Sequence, residues 1–187
     1  MIDQINYFLE KEKYTLDNLK DAYLYACKKD IELVKPGNVN LNSPHSDTTA
    51  QDYLNSATQS SKELFREEYS LGERILKSIN ITRETVSTNT NLGIILLCAP
   101  IAQACINFNN IGLKEGLKKV LKNTSIQDTQ DLCMAIKTSS PGGLGRSNVY
   151  DINSKPITTI EDIMSYSANY DRISYQYAHN YGDIFDF

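Results

Sequence analysis

Asn89-Thr90-Asn91-Leu92-Gly93-Ile94-Ile95-Leu96-Leu97-Cys98-Ala99-Pro100-Ile101-Ala102-Gln103-Ala104 is the stretch on which the fold turns. A polar entry, begun by Thr88, leads into the longest apolar run of the chain, Leu92 to Ala102. A membrane-spanning helix needs about 20 apolar residues, so this run is too short to cross a bilayer. It reads as a helix in the middle of a globular core, with Pro100 expected to kink it.

Working outward, apolar residues recur at helical spacing on both sides. Leu16, Leu19, Tyr23, Ala26, Cys27 and Ile31 form one stripe behind Thr15, a suitable N-cap. Thr49 and Asp52 form a capping box ahead of a helix carrying Tyr53, Leu54, Ala57, Leu64 and Phe65. A further helix is expected after Ser70, and Thr82 is expected to cap a short one from Arg83 to Ser87. Ile111 to Leu121 is amphipathic, with Lys114, Lys118, Lys119 and Lys122 on its wet side, and Ser125 to Thr138 is again helical. A last long helix is expected from Thr158, boxed by Glu161, to about Tyr181. No segment alternates as a strand set would. The expectation is an all-α single domain over residues 1–187, interrupted by polar loops rich in Gly, Pro and Asn.

Composition narrows the setting. The chain has 187 residues, 41% of them hydrophobic, which suits one domain with a sizeable core. A net charge of -4 gives no whole-chain attraction to nucleic acid or an anionic membrane, though a local basic pocket is compatible with it. Cys27, Cys98, Cys105 and Cys133 are widely spaced without a CxxC, and only two His are present, which argues for free thiols rather than zinc. The polar, acidic start is not a signal peptide. A cytoplasmic protein is expected, and a homo-oligomer stays open.

Four groups of residues carry chemistry. Asp30, Glu32, Lys35, Pro36, Gly37 and Asn38 are followed by His45 and Asp47 across a long polar loop. Carboxylates at a helix end could hold Mg²⁺, Lys35 could neutralise a phosphate, and Gly37 would let backbone N–H groups approach an anion. The same KPGN run would also serve as an ordinary turn. Asn89 and Asn91, at the mouth of the apolar helix, suit either helix capping or anion binding at the helix N-terminus. Gly142 and Gly143, in PGGLG, could cradle phosphate or simply connect helices; the pattern is no Walker loop. Asp171 and Arg172 are adjacent and so point to different faces, whereas Arg172 and Gln176 share one.

Taken in order, ACKKDIELVKPGNV, HSDTT, DYLNSA, NTNLGIILLCAPIAQA, PGGLG and DRISYQYA make the chain resemble the triphosphoribosyl-dephospho-CoA synthase family, from about Tyr23 to Phe185. The resemblance implies an all-helical enzyme that uses ATP and 3′-dephospho-CoA. It would move the 5-triphosphoribosyl group to the 2′-hydroxyl of dephospho-CoA and release adenine. The product is the precursor of the prosthetic group of citrate lyase and malonate decarboxylase carrier proteins. NTNLG, where the citrate-lyase type has NTHKG, places the chain nearer an archaeal and methylotroph-type branch. Family members commonly continue into a further helical segment, which this chain is expected to lack.

On that reading Asp30, Glu32, Asp47 and Asp171 would hold Mg²⁺ on the triphosphate. Lys35, Gly37, Asn38, Asn89, Asn91, Gly142, Gly143 and Arg172 would bind the nucleotide. His45, Asp47 or Asp30 would assist the attacking hydroxyl. Two alternatives stay open: a related nucleotide-dependent enzyme acting on another cofactor precursor, as in C1-carrier biosynthesis, and a non-catalytic nucleotide-binding homologue.

Overall fold

A computed structural model describes residues 14–34, 39–40, 48–86, 88–140 and 156–186. Among the described residues the chain forms helices and no strand: α1 (Leu16–Glu32), α2 (Ala50–Leu64), α3 (Leu71–Thr85), α4 (Leu92–Asn107), α5 (Leu113–Lys122), α6 (Ile126–Ser139), α7 (Ile160–Ser167), α8 (Arg172–Ala178) and α9 (Gly182–Phe185). None of them is long and apolar enough to cross a membrane. The all-α expectation holds. The loops at 35–38, 41–47 and 141–155 lie outside the described residues.

Helix starts follow from side-chain oxygens. Thr15, Thr49, Ser70, Ser125 and Thr159 each accept the backbone N–H three residues on, and the last four do so within reciprocal capping boxes. Such a cap satisfies a donor that the helix itself cannot and contributes about 1 kcal/mol.

Two boundaries differ from the sequence expectation. Thr82 does not cap a separate helix; it is buried inside α3, where its hydroxyl donates to the Ser78 carbonyl at 2.9 Å. The apolar period continues through Ile79 into this turn, so burial keeps the helix going. The expected long terminal helix is instead three short ones. Its box is Thr159 with Asp162, one residue later than Thr158 with Glu161. The chain then turns after Ser167, and Asp171 opens α8 by accepting from the N–H groups of Ile173 and Ser174 at 3.3 and 2.9 Å. Asn180 and Tyr181 both take left-handed backbone angles (φ 52° and 59°) and end the run again before α9.

Helix α4 is the hub: it packs against α1, α2, α3, α5 and α8. Ile95, Leu96, Ala99 and Ala102 are buried along it and join Leu64, Ile75, Ile79 and Leu117 in one core. Elsewhere α3 and α6 meet backbone to backbone. A Cβ on Gly72 would lie 2.4 Å from the Asp128 Cα, and the Gly72 N–H donates to the Asp128 carboxylate at 2.8 Å. Burial would raise the Asp128 carboxyl, but the N–H groups of Gly72 and Ser125 prevail and hold it below its usual range.

The helix continues through Pro100, from Leu92 to Asn107. Proline has no N–H, so the carbonyl of Leu96, four residues earlier, loses its helical donor. The hydroxyl of Tyr177 takes that place and donates to the Leu96 carbonyl at 2.6 Å. One turn later the Tyr181 hydroxyl donates to the Leu97 carbonyl at 2.9 Å. Both tyrosines are buried, and burial drives both phenols upward, so they remain donors throughout the working pH range.

Tyr177→Phe should therefore destabilise the protein by about 1–3 kcal/mol, the cost of leaving a buried carbonyl unpaired. In a Pro100→Ala background the restored N–H should reduce that loss by about 1 kcal/mol. A double-mutant cycle in urea reads the coupling; equal losses in both backgrounds would disconnect the proline from the hydroxyl.

Candidate active site

Three of the residues singled out in the sequence, though separated along the chain, border one cleft. Asp30 reaches it from the last turn of α1, while Asn89 and Asn91 come from the segment leading into α4. Among the described residues Val39, Tyr53, Leu92, Gly93, Ile94 and Leu97 also line it, and the cleft holds about 560 Å³. That lies within the range of about 300–1,000 Å³ that small-molecule sites occupy.

The cleft is braced by polar bonds between α2 and the segment before α4. Ser56 and Thr90, both buried, share a hydroxyl–hydroxyl bond of 2.6 Å. The Asn91 side-chain amide donates to the Tyr53 carbonyl at 2.8 Å. Asn91 itself sits in the left-handed region at φ 59°, a conformation Asn tolerates better than most residues. It occupies the N-cap position of α4, yet its side chain makes no cap bond. The first turn of α4, formed by Leu92, Gly93 and Ile94, borders the cleft with its positive dipole end. A helix N-terminus so presented favours an anion.

The other expected residues are placed as follows. Glu32 is held on the α1 surface by Lys29 at 2.6 Å and Lys28 at 3.8 Å. The contact with Lys29 keeps its carboxyl below the usual range. Asp171 is occupied as the cap of α8, where it also receives the Ser174 hydroxyl at 2.5 Å. Arg172, with its side chain 72% exposed, pairs with Asp183 and lies over the Tyr175 ring, 4.2 Å from its centroid. None of these three lines the cleft, although α8 adjoins it: a Cβ on Gly93 would meet Ile173 Cδ1 at 3.5 Å. Lys35, Gly37, Asn38, His45, Asp47, Gly142 and Gly143 lie outside the described residues.

Other groups do not compete for the chemistry. The four cysteines are free. Burial pushes the Cys27 thiol up to about 11 and those of Cys98 and Cys105 up to about 12, so they stay protonated and poor nucleophiles at neutral pH. His179 stacks on Tyr175 with ring centroids 3.9 Å apart, at the far end of α8. A second cleft of about 360 Å³, between α5 and the α7–α8 region, is lined by Lys118, Lys119 and Lys122 but by none of the expected site residues.

Sequence reading missed Tyr53, Val39, Ile94 and Leu97 as cleft residues. Tyr53 falls on the apolar stripe of α2, so spacing alone assigns it to the core. Its place at the rim follows only once Asn91 is seen bonded to its carbonyl.

Comparison with known proteins defines the class first: this is a transferase, since the family model for ATP:dephospho-CoA triphosphoribosyl transferase matches residues 16–187. The chain belongs to that family, CitG. Among curated proteins and solved structures, no significant match was found.

The brace at Asn91 is open to a direct test. Asn91→Gly loses the bond to Tyr53 but relieves the left-handed backbone, so its stability should stay close to wild type. Asn91→Ala loses the bond and keeps the strain, and should cost about 1–2 kcal/mol more than the glycine variant. Thermal melts compare them; an alanine variant as stable as the glycine one would argue against the strained cap.

Proposed function

We propose that this cleft holds ATP while its 5-triphosphoribosyl group passes to the 2′-hydroxyl of 3′-dephospho-CoA. The bond between ribose C1 and the adenine nitrogen breaks, and a bond between C1 and the acceptor oxygen forms. The acceptor's hydroxyl proton leaves to a base, and adenine departs after gaining a proton. Like glycoside hydrolysis, the exchange passes through an oxocarbenium-like centre at C1. The observation that supports the reading is the gathering of Asp30, Asn89 and Asn91 on one cleft at an uncapped helix end.

Charge sorts the roles. The triphosphate is a polyanion, and the only charged side chain lining the described part of the cleft is Asp30, itself an acid. A carboxylate beside a polyanion requires a cation between or around them. Lys35 would supply one charge. Mg²⁺ would supply the rest, neutralising the phosphates. The donors fit a hard ion: the Asp30 carboxylate and the side-chain oxygens of Asn89 and Asn91 are all oxygen ligands. Among the described residues no group of three or more His, Cys, Asp or Glu could hold a metal alone. Asp47 and the phosphate oxygens would therefore complete the shell.

His45 or Asp47 would take the acceptor's proton, a role worth about two to four powers of ten in rate. Asn89 would orient the nucleotide, and the first-turn N–H groups of α4 would meet a phosphate. Gly37, Asn38, Gly142 and Gly143 would bring further backbone donors. Glu32, Asp171 and Arg172 would act from outside the described cleft wall. The free thiols suit a cytoplasmic setting.

Incubation with ATP, Mg²⁺ and 3′-dephospho-CoA, followed by mass analysis, should reveal dephospho-CoA carrying an added triphosphoribosyl group together with free adenine. Asp30→Asn keeps the volume but removes the charge, and should lower adenine release by at least about 100-fold with the melting temperature preserved. Undiminished release by Asp30→Asn would take that residue out of the scheme. Failure of the wild-type chain to modify dephospho-CoA would overturn the acceptor assignment.

A further inference from the structure

The described cleft lining is mixed in polarity, and a nucleotide has parts to match both kinds of group. Asp30, Asn89, Asn91 and the first-turn backbone of α4 supply the polar groups, whereas the described lining also includes the apolar residues Val39, Tyr53 and Leu97. Phosphate oxygens laid against Val39 and Leu97 would lose hydration without compensation. A purine has two apolar faces and a polar edge, so it is the part of ATP that gains from such neighbours. Tyr53 is the single aromatic residue among the described lining residues.

Tyr53 is also rigidly held. It stands in the first turns of α2, just after the Thr49–Asp52 capping box. Its carbonyl accepts from Asn91 at 2.8 Å. Three residues on, the Ser56 hydroxyl donates back to the Asp52 carbonyl of the same helix at 2.7 Å and ties that helix to Thr90 at 2.6 Å. A half-buried ring on a braced helix is a platform that need not be ordered when a ligand arrives. We infer that Tyr53 is the stacking platform for the adenine base, a specificity-determining residue that holds the leaving group while C1 reacts. The inference rests on the reading of this cleft as the ATP site and deepens it.

The test separates base from phosphate. Full-length wild-type protein and its variants are titrated calorimetrically, in Mg²⁺, with ATP and with inorganic tripolyphosphate, which has no base. Stacking on an aromatic ring is worth enough that Tyr53→Ala should weaken ATP by about tenfold or more. Tripolyphosphate affinity should stay within about twofold. Tyr53→Leu, which keeps bulk and fold without the π face, should show the same selective loss, while Tyr53→Phe should retain ATP affinity.

Unchanged ATP affinity in Tyr53→Ala and Tyr53→Leu would overturn the platform. So would equal losses for ATP and tripolyphosphate, which would mean a collapsed cleft. A Tyr53→Phe variant as weak as Tyr53→Ala would move the contact from ring to hydroxyl and also overturn it. If the wild-type chain bound tripolyphosphate but not ATP, or neither, the underlying reading of the cleft would fail first. That result is distinct from any pattern among the variants.

Discussion

A proline in the middle of a buried helix leaves a carbonyl with no donor, and much of this structure is arranged around that deficit. Pro100 cannot serve the Leu96 carbonyl, water is excluded from the core, and an unpaired buried acceptor is costly. The answer comes from far along the chain, where Tyr177 and Tyr181 bring their hydroxyls to the carbonyls of Leu96 and Leu97. The left-handed turn at Asn180 and Tyr181 folds the chain back so that both hydroxyls meet carbonyls of adjacent residues on α4. The Tyr177 bond pins α8 against α4 and the Tyr181 bond holds the turn that follows it, and α8 in turn sets Ile173 beside Gly93 at the cleft. The helical terminus is thus fixed by hydrogen bonds as well as by burial.

The opposite wall is stiffened by electrostatics. α2 begins with the Thr49–Asp52 box and ends against Arg74, which is 0% exposed. The guanidinium donates to the carbonyl of Leu64, the last residue of α2, at 2.5 Å, and to that of Tyr69 at 3.2 Å. A cation at the carbonyl end and a carboxylate at the amide end both complement the helix dipole. Burial pulls the Arg74 pKa down to about 10, which still leaves it charged at neutral pH. With both ends satisfied, α2 is a firm mount for Tyr53 and Ser56, the two residues that meet the segment entering α4.

Much of the fold was legible in the sequence because helix starts are local chemistry. A hydroxyl followed three residues later by an acid marks Thr49, Ser70 and Ser125 without reference to anything distant. The errors arose where local and tertiary effects compete. Thr82 has cap chemistry but is buried, so its hydroxyl turns back to Ser78. From Thr158 to Tyr181 the apolar period is unbroken, yet Asp171 and the left-handed pair Asn180–Tyr181 divide it. The acid is read correctly only when its side chain is seen to cap rather than face solvent. At the cleft, polar residues in odd places announced Asp30, Asn89 and Asn91. Tyr53 gave no such sign, since an aromatic at helical spacing looks like core until its neighbour across the gap is known.

The closing of helix ends also explains why the cleft lies where it does. Ordinary caps contribute about 1 kcal/mol, and Thr15, Thr49, Ser70, Ser125, Thr159 and Asp171 all provide one. Asn91 is a residue well able to do the same, and it does not. The left-handed backbone there, which Asn adopts more readily than most residues, directs the amide to the Tyr53 carbonyl instead of the first turn of α4. An ordinary cap at this point would occupy N–H groups on the cleft wall and leave α2 untied. The strained one leaves those donors to a ligand and uses the same side chain to hold the wall opposite. An uncapped helix end facing a braced wall is an arrangement expected of a binding site rather than of a core, and the proposed anion site rests on it.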